Sequence, residues 1–417
     1  MRALKANYFL GYALMGSVLP YLPVYLRTQE LTNTQVGYVL GMVGAAILLS
    51  PVALTLLADA HLEGKTLLAG IFLASAATLA ALLLTEGFWP IFVAHALFAL
   101  AFVAVMPLQD GLNFQVQAQH RAAGRSAVPY HRVRVWGTVG FILPSLILYV
   151  ALAAGAPIGA TLAVGVGFAL LGGLSALTLP RTRPLARGGA PGADVPPPPE
   201  NANSKLETQN SKLSSRLPTT EALHAMLRPH VLIFCAAIFL AHMANSAYYA
   251  FYPLYLTEQA GIANEWVGLI TNLGVVLEVF FMLGFGYLLA RFGVRWLMVL
   301  GTAAMAVRMG LLAAWPTVFI AVATQVFHGL HVLVIHVAPA VFLNRQAQSR
   351  YRNSIQGLYA MTIYGTGRIL GSVLGGWVAD ESLLHVFYYA SLVCALAAGL
   401  FILFFRDPAP AAGHTPP

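Results

Sequence analysis

The sequence predicts an all-α membrane protein of twelve transmembrane helices in two pseudo-symmetric six-helix bundles. Three observations carry this. The 417-residue chain is 59% hydrophobic and only 9% charged, a balance foreign to soluble globular domains. Its apolar residues gather into twelve segments, most of them reaching the ~17–25 residues that a spanning helix needs. The segments fall six and six about a polar stretch, and the halves share landmarks. Pro23, Tyr25 and Leu26 followed by Val36-Gly37 match Pro253, Tyr255 and Leu256 followed by Val267-Gly268. Duplicated bundles of this kind place a binding site between their halves.

The first bundle, residues 1–180, holds apolar segments at Lys5–Leu26, Thr34–Ala58, Thr66–Leu84, Phe88–Val116, Val133–Leu152 and Ile158–Leu179. The second, residues 229–406, holds His230–Leu256, Trp266–Leu289, Leu297–Ala314, Thr317–Val341, Ile355–Ala379 and Leu384–Phe405, before a tail at 407–417. In-span prolines such as Pro20, Pro144 and Pro253 are tolerated because neighbouring helices satisfy the freed backbone groups. The first segment is too long for a signal-peptide core and lacks a cleavage site, so it is expected to be retained. Between the bundles, 181–228 is polar, carries four consecutive prolines at Pro196–Pro199 and reads as a mostly disordered cytoplasmic linker. A short surface helix is expected there at Thr220–Leu227.

The net charge of +8 reports topology. With the N-terminus inside, 20 of the 23 lysines and arginines fall on the inner side, and only Arg27 lies in an outer loop. This is the positive-inside pattern. It predicts cytoplasmic termini and an inner-membrane location, and it argues against nucleic acid as a partner. The partners expected are a small-molecule substrate, protons and the lipid bilayer, with a monomeric chain. Cys235 and Cys394 show no disulfide or metal spacing, and no metal site or cofactor other than the proton gradient is expected.

Ionisable residues inside spans are costly and mark functional sites. Glu278, Arg308 and His328 lie on three consecutive segments. At ~1.5 Å per residue, each sits about 17–18 Å from the end of its segment, roughly half of a ~30 Å hydrocarbon core. An acid, a permanent cation and a titratable imidazole at one depth predict a proton-handling site. His331 shares the face of His328 and joins it. In the first half, Asp110 follows Pro107 and Arg134 opens the fifth span, and the two are expected to pair at the substrate. His242, Asn245 and Tyr249 supply polar and aromatic lining. Asp59 and Lys65 at the turn between spans two and three are candidates for an inner gate latch.

With these residues in hand, the chain resembles the major facilitator superfamily, and more narrowly its lactose permease and phenylpropionate permease-like branch. The resemblance rests on YLPVYL, the loop around Asp59, Asp110 after Pro107, and the pattern Tyr130-x-Arg132-x-Arg134-x-x-Gly137-x-x-Gly140. In the second half it rests on GVVLEV at Glu278, AVRMG at Arg308 and QVFHGLH at His328. It implies that Asp110 and Arg134 stand where lactose permease uses an acid–arginine pair at the sugar. Arg308 and His328 stand in its proton-coupling network. Two departures set lactose aside. His331 replaces the glutamate expected three residues after the histidine, and Phe141 replaces the tryptophan that stacks on the sugar.

The expected function is a secondary active transporter working by alternating access. It is read as a proton-coupled symporter taking up a small organic solute such as an aromatic carboxylate, with a nucleoside or sugar permease as the alternative. A haem-binding membrane redox protein is disfavoured. His328 and His331, three apart on one helix, cannot be the two axial ligands of one haem. Neither a phosphate-binding glycine loop nor any catalytic constellation points to an ATP-driven pump or an enzyme.

Overall fold

A computed structural model describes residues 1–59, 63–122, 124, 128, 130–181, 218–347 and 351–406. The described chain is helical almost throughout. The first half contains α1 (Arg2–Val18, continued after a 40° bend as Leu22–Thr28), α2 (Asn33–Asp59), α3 (Gly64–Leu84), α4 (Phe88–Val103 and Val105–Ala122), α5 (Tyr130–Ala153) and α6 (Ala160–Leu177). The bend in α1 sits at Pro20 and Pro23, where the missing amide and the ring clash interrupt a helix. After a short helix at Pro218–Met226 comes α7 (Pro229–Leu254, ending in a π turn at Tyr255–Gln259).

The next helix, Trp266–Ala314, is nominally 49 residues long. It breaks at Gly293, whose φ of 67° and ψ of 172° lie outside helical space and in a region that glycine alone enters at low cost. The two arms are α8 (266–292) and α9 (294–314). The sequence places a loop here, and the structure makes the reversal with one residue. The last rods are α10 (Val318–Ala323 through Ala338–Gln346), α11 (Arg352–Tyr359 through Thr366–Glu381) and α12 (Leu383–Leu403). Eight of these helices are long and apolar enough to cross a membrane, or nine if the bent α1 is one span. Counting the broken helix as two arms adds one more, and α2 and α11 complete twelve rods. The linker expected at 181–228 falls largely on residues outside the described set, as does the tail.

Helix contacts repeat between the halves. Within the first, α1 packs on α5 and α6, α3 on α4 and α6, and α2 on α4. Within the second, α7 packs on α11 and α12, the broken helix on α12 and α10. The halves then meet mainly through two crossed pairs, α2 with α11 and α5 with α8, with further contact from α7 to the end of α1 and to α2. The outcome is the pseudo-symmetric pair of six-helix bundles that the sequence predicts.

The α2–α11 seam is held close by glycine. A Cβ on Gly37 would stand 2.5 Å from the Ser372 carbonyl, and one on Gly44 2.4 Å from the Gly365 carbonyl. Side-chain hydrogen bonds join the halves at this seam and beyond it. Asp380 of α11 accepts the Asn33 and Thr34 amides at 2.8 and 3.2 Å, capping the start of α2. Arg27 pairs with Glu258 at 3.1 Å. The Trp377 indole donates to the Tyr38 hydroxyl at 3.0 Å, and Asn272 donates to Ser145 at 2.7 Å. Between the halves lies a cavity of ≈ 540 Å³.

Candidate functional site

The cavity is walled by α1, α2, α4 and α5 from one half and α7, α8, α10 and α11 from the other, while α3, α6, α9 and α12 contribute no lining. The lining helices correspond in pairs under the pseudo-symmetry. Glu278 on α8 lines the cavity, and its side chain is 23% exposed although it sits at mid-depth. Solvent therefore reaches it through the cavity.

Behind Glu278 stands a buried network centred on Arg308, which is 0% exposed. One guanidinium nitrogen donates to the Tyr248 hydroxyl and to Gln325 Oε1, the latter at 2.9 Å. Gln325 Nε2 donates to the Tyr252 hydroxyl at 2.7 Å, which donates to the Ala321 carbonyl at 2.9 Å. The guanidinium also lies 4.6 Å from the Tyr248 ring centre, a cation–π contact. Its other terminal nitrogen is 3.4 Å from His328 Nδ1. A guanidinium only donates, so Nδ1 of His328 must accept and the ring proton must sit on Nε2. That Nε2 faces Tyr249 Oη at 3.5 Å and Glu278 Oε2 at 3.8 Å.

Local backbone makes this possible. The chain passes through a 3-10 turn at Thr324–Phe327, one helical turn at His328–Val332 and a π turn at Leu333–Val337. Such irregularities re-aim side chains at functional sites. On the facing helix Gly274 leaves the room. A Cβ there would stand 2.5 Å from Gln325 Oε1 and 2.8 Å from His328 Cγ.

The structure brings Glu278, Arg308 and His328 together. Arg308 does not meet Glu278 directly; the imidazole of His328 stands between them. His331 is 1% exposed, lies 5.7 Å ring to ring from His328 and stays behind it rather than in the cavity wall. Neither of its ring nitrogens finds a hydrogen bond among the described residues.

The first-half pair is also rearranged. Asp110 accepts the Tyr8 and Tyr130 hydroxyls at 2.5 and 2.8 Å. Two phenols satisfy the carboxylate, and no ion pair joins it to Arg134. Arg134 instead lies 4.1 Å over the Tyr12 ring and lines the cavity beside Phe141. In the second half, Tyr249 lines the cavity, while His242 and Asn245 do not. They are buried in α7 instead, 6% and 3% exposed, with His242 packed 4.8 Å from the Tyr364 ring. Their position one and two turns before Tyr249 does not suffice to aim them inward. The side chain of Asp59 lies outside the described residues, and Lys65 stands 3.9 Å from Glu63. His95, His336 and Arg368 are legible in the sequence as polar residues inside spans, yet are not among the site residues expected from it. Gln325 carries the same signal, being polar and inside the span Thr317–Val341, and Tyr12 carries none.

A cavity with aromatic walls, an acid and two arginines, set between two pseudo-symmetric bundles, suits a polar organic solute small enough to be enclosed. Comparison with known proteins gives the family. The MFS_1 like family matches the chain over residues 1–390. The chain belongs to that family. The xanthosine permease of Escherichia coli (strain K12) is 25% identical over 90% of this chain and 87% of its own length. The nucleoside permease NupG of the same organism is 24% identical over the same shares. A protein named "Probable 3-phenylpropionic acid transporter", also from that organism, is 25% identical over 94% of each chain. The crystal structure of nucleoside transporter NupG superposes with a TM-score of 0.80 at 22% identity, covering 97% of this chain and 99% of that one. At that identity the superposition establishes the fold. As a member of the MFS_1 like family, the chain is a multi-pass membrane transporter of small molecules and not an enzyme.

Proposed function

We propose that this transporter is a proton-coupled nucleoside permease working by alternating access, in preference to the aromatic-carboxylate symporter expected from sequence. The observation that carries the reading is a cavity whose walls combine flat aromatic faces with hydroxyl-binding polar groups, in a chain whose relatives include a xanthosine permease and a nucleoside permease. Tyr12, Phe141, Tyr249 and Tyr252 line it and supply surfaces on which a base can stack. Arg134, Glu278, Thr138 and Thr271 line it as well and can bond ribose hydroxyls.

In this reading Glu278 is the proton carrier. It is the titratable acid that solvent reaches, and it faces the protonated Nε2 of His328. Arg308 fixes that tautomer, so His328 acts as a positioned donor beside the carboxylate. Deprotonated Glu278 then accepts from His328, and protonated Glu278 donates to a substrate hydroxyl. Binding of substrate is thereby favoured with the proton aboard. Inner-membrane insertion with both termini cytoplasmic and a monomeric transport unit belong to the same proposal.

The test is uptake of labelled xanthosine, inosine and uridine by cells lacking their own nucleoside permeases, beside 3-phenylpropionate and maltose. Nucleoside accumulation abolished by a protonophore is the expected outcome. Accumulation of 3-phenylpropionate alone would replace this reading with the carboxylate one.

A further inference from the structure

The cavity also holds a cluster of groups that can donate hydrogen bonds, centred on a guanidinium. Arg368 on α11 lines the cavity, and its buried Nε has no partner. Among the described residues the guanidinium forms no hydrogen bond and no ion pair. A permanent cation at this depth is costly unless something completes its shell. The opposite half supplies no acid. It supplies His95 of α4, which is 0% exposed, lines the same cavity and has no side-chain hydrogen-bond partner among the described residues, the Val39 backbone being a polar group that its ring approaches. His336 of α10 also lines the cavity. Ser372, one turn beyond Arg368 and on the same helix face, adds a hydroxyl to the wall. The carboxylate in the lining, Glu278, is turned toward His328 instead.

A guanidinium, two imidazoles and a hydroxyl with no carboxylate among them match a ligand edge that accepts hydrogen bonds. We infer that Arg368, His95, His336 and Ser372 form a subsite, built from both halves, for the acceptor-rich edge of the substrate. Resting on the nucleoside reading, this edge is the carbonyl face of an oxopurine or uracil base. Amino-bearing bases such as adenine and cytosine would turn a donor toward the Arg368 guanidinium, which cannot accept. The ribose then lies toward Glu278 and Arg134. Because His95 and Arg368 come from opposite halves, such a ligand ties the two bundles together beside the α2–α11 seam.

The experiment is isothermal titration of the purified full-length protein with inosine, adenosine and 3-phenylpropionate, in the wild type, Arg368→Gln and His95→Phe. Inosine is expected to bind more tightly than adenosine to the wild type. Arg368→Gln should weaken inosine about 10- to 100-fold, the range for a lost hydrogen bond to a charged group, and leave adenosine within about threefold. His95→Phe keeps the ring and removes the N–H, and should act in the same direction by a smaller factor. Equal loss for all ligands, or no loss, overturns the subsite while leaving the nucleoside reading intact. Binding of 3-phenylpropionate alone, weakened by Arg368→Gln, overturns the nucleoside reading and leaves the subsite standing. A folded wild type that binds none of the three rejects both. If Arg368→Gln fails to fold, His95→Phe decides alone: ligand-selective loss supports the subsite and unselective loss rejects it.

Discussion

Arg308 is a permanent cation with no solvent exposure, and its described partners are neutral: Tyr248, Gln325 and His328. Each of those acceptors therefore matters more than a surface hydrogen bond would. Tyr248→Phe removes a bond to a charged group, for which about 1.5–3 kcal/mol is typical. It should lower the melting temperature of the purified protein, and Tyr249→Phe, which loses only a 3.5 Å contact to His328, should lower it less. An equal effect of the two would separate stability from the Arg308 network. Glu278 calls for a functional test. Glu278→Gln keeps shape and a hydrogen-bonding head but removes the titratable proton. Uphill uptake driven by a pH difference should be lost, while counterflow exchange on the same reconstituted protein persists. Because Glu278 does not directly pair with Arg308, this substitution strands no buried cation, and protein abundance should hold. A Glu278→Gln protein that still accumulates substrate against its gradient removes Glu278 from the coupling role.

At the scale of the helices, close approach decides the site. Gly274 lets α8 press against α10 where Gln325 and His328 project. Gly274→Ala places a methyl 2.5 Å from Gln325 Oε1 and 2.8 Å from the imidazole, so one or both must move. Overpacking of this kind costs about 1–3 kcal/mol, and displacement of His328 from its 3.8 Å approach to Glu278 should cut coupled uptake by at least tenfold. Gly284→Ala on the same helix meets nothing within 4 Å and should be silent. Comparable uptake by the two variants would show that the approach of α8 to α10 is not needed. These contacts also mark what was legible in the sequence. The spans were legible because apolar length is fixed by bilayer thickness, and the depth of Glu278, Arg308 and His328 followed from counting along each span. Which way a side chain turns around its helix was not. His242 and Asn245 have the right depth but face into packing. The partner choice of Asp110 was not legible either, because two phenols from α1 and the start of α5 compete with Arg134, and tyrosines in apolar spans look like ordinary packing residues. The reversal at Gly293 hid because a single residue replaced the loop that the two apolar segments suggest.

For the whole molecule, alternating access requires that the contacts closing one end be weak enough to open. The linker and both termini are proposed to lie on the cytoplasmic side, and a reporter fused after Arg406 should be active only inside the cell. The inter-half contacts of Asp380 and Arg27, at the ends of α11 and α1, then lie at the opposite end. Both are polar and separable from the glycine seam. Asp380 caps α2 through two amides, and loss of a cap costs about 0.5–2 kcal/mol. Arg27–Glu258 is a partly exposed pair, its side chains 35% and 36% exposed, and such pairs contribute about 0.2–1 kcal/mol. Both bridge the halves, so their energy belongs to this closed state and is lost when the end opens. Removing both, as Asp380→Ala with Glu258→Gln, should shift the balance toward the opposite conformation by about 1–2 kcal/mol, a five- to thirtyfold change in population. The measurement is alkylation, in sealed proteoliposomes of fixed orientation, of a cysteine introduced as Thr271→Cys in the cavity wall. A membrane-impermeant maleimide added from the side of the clamp should react at least fivefold faster in the double variant. The glycine seam is untouched, so the protein should remain folded and its uptake should survive with altered apparent affinity. An unchanged alkylation rate in a folded double variant would mean that the seam between α2 and α11, and not the polar clamp, holds this end shut.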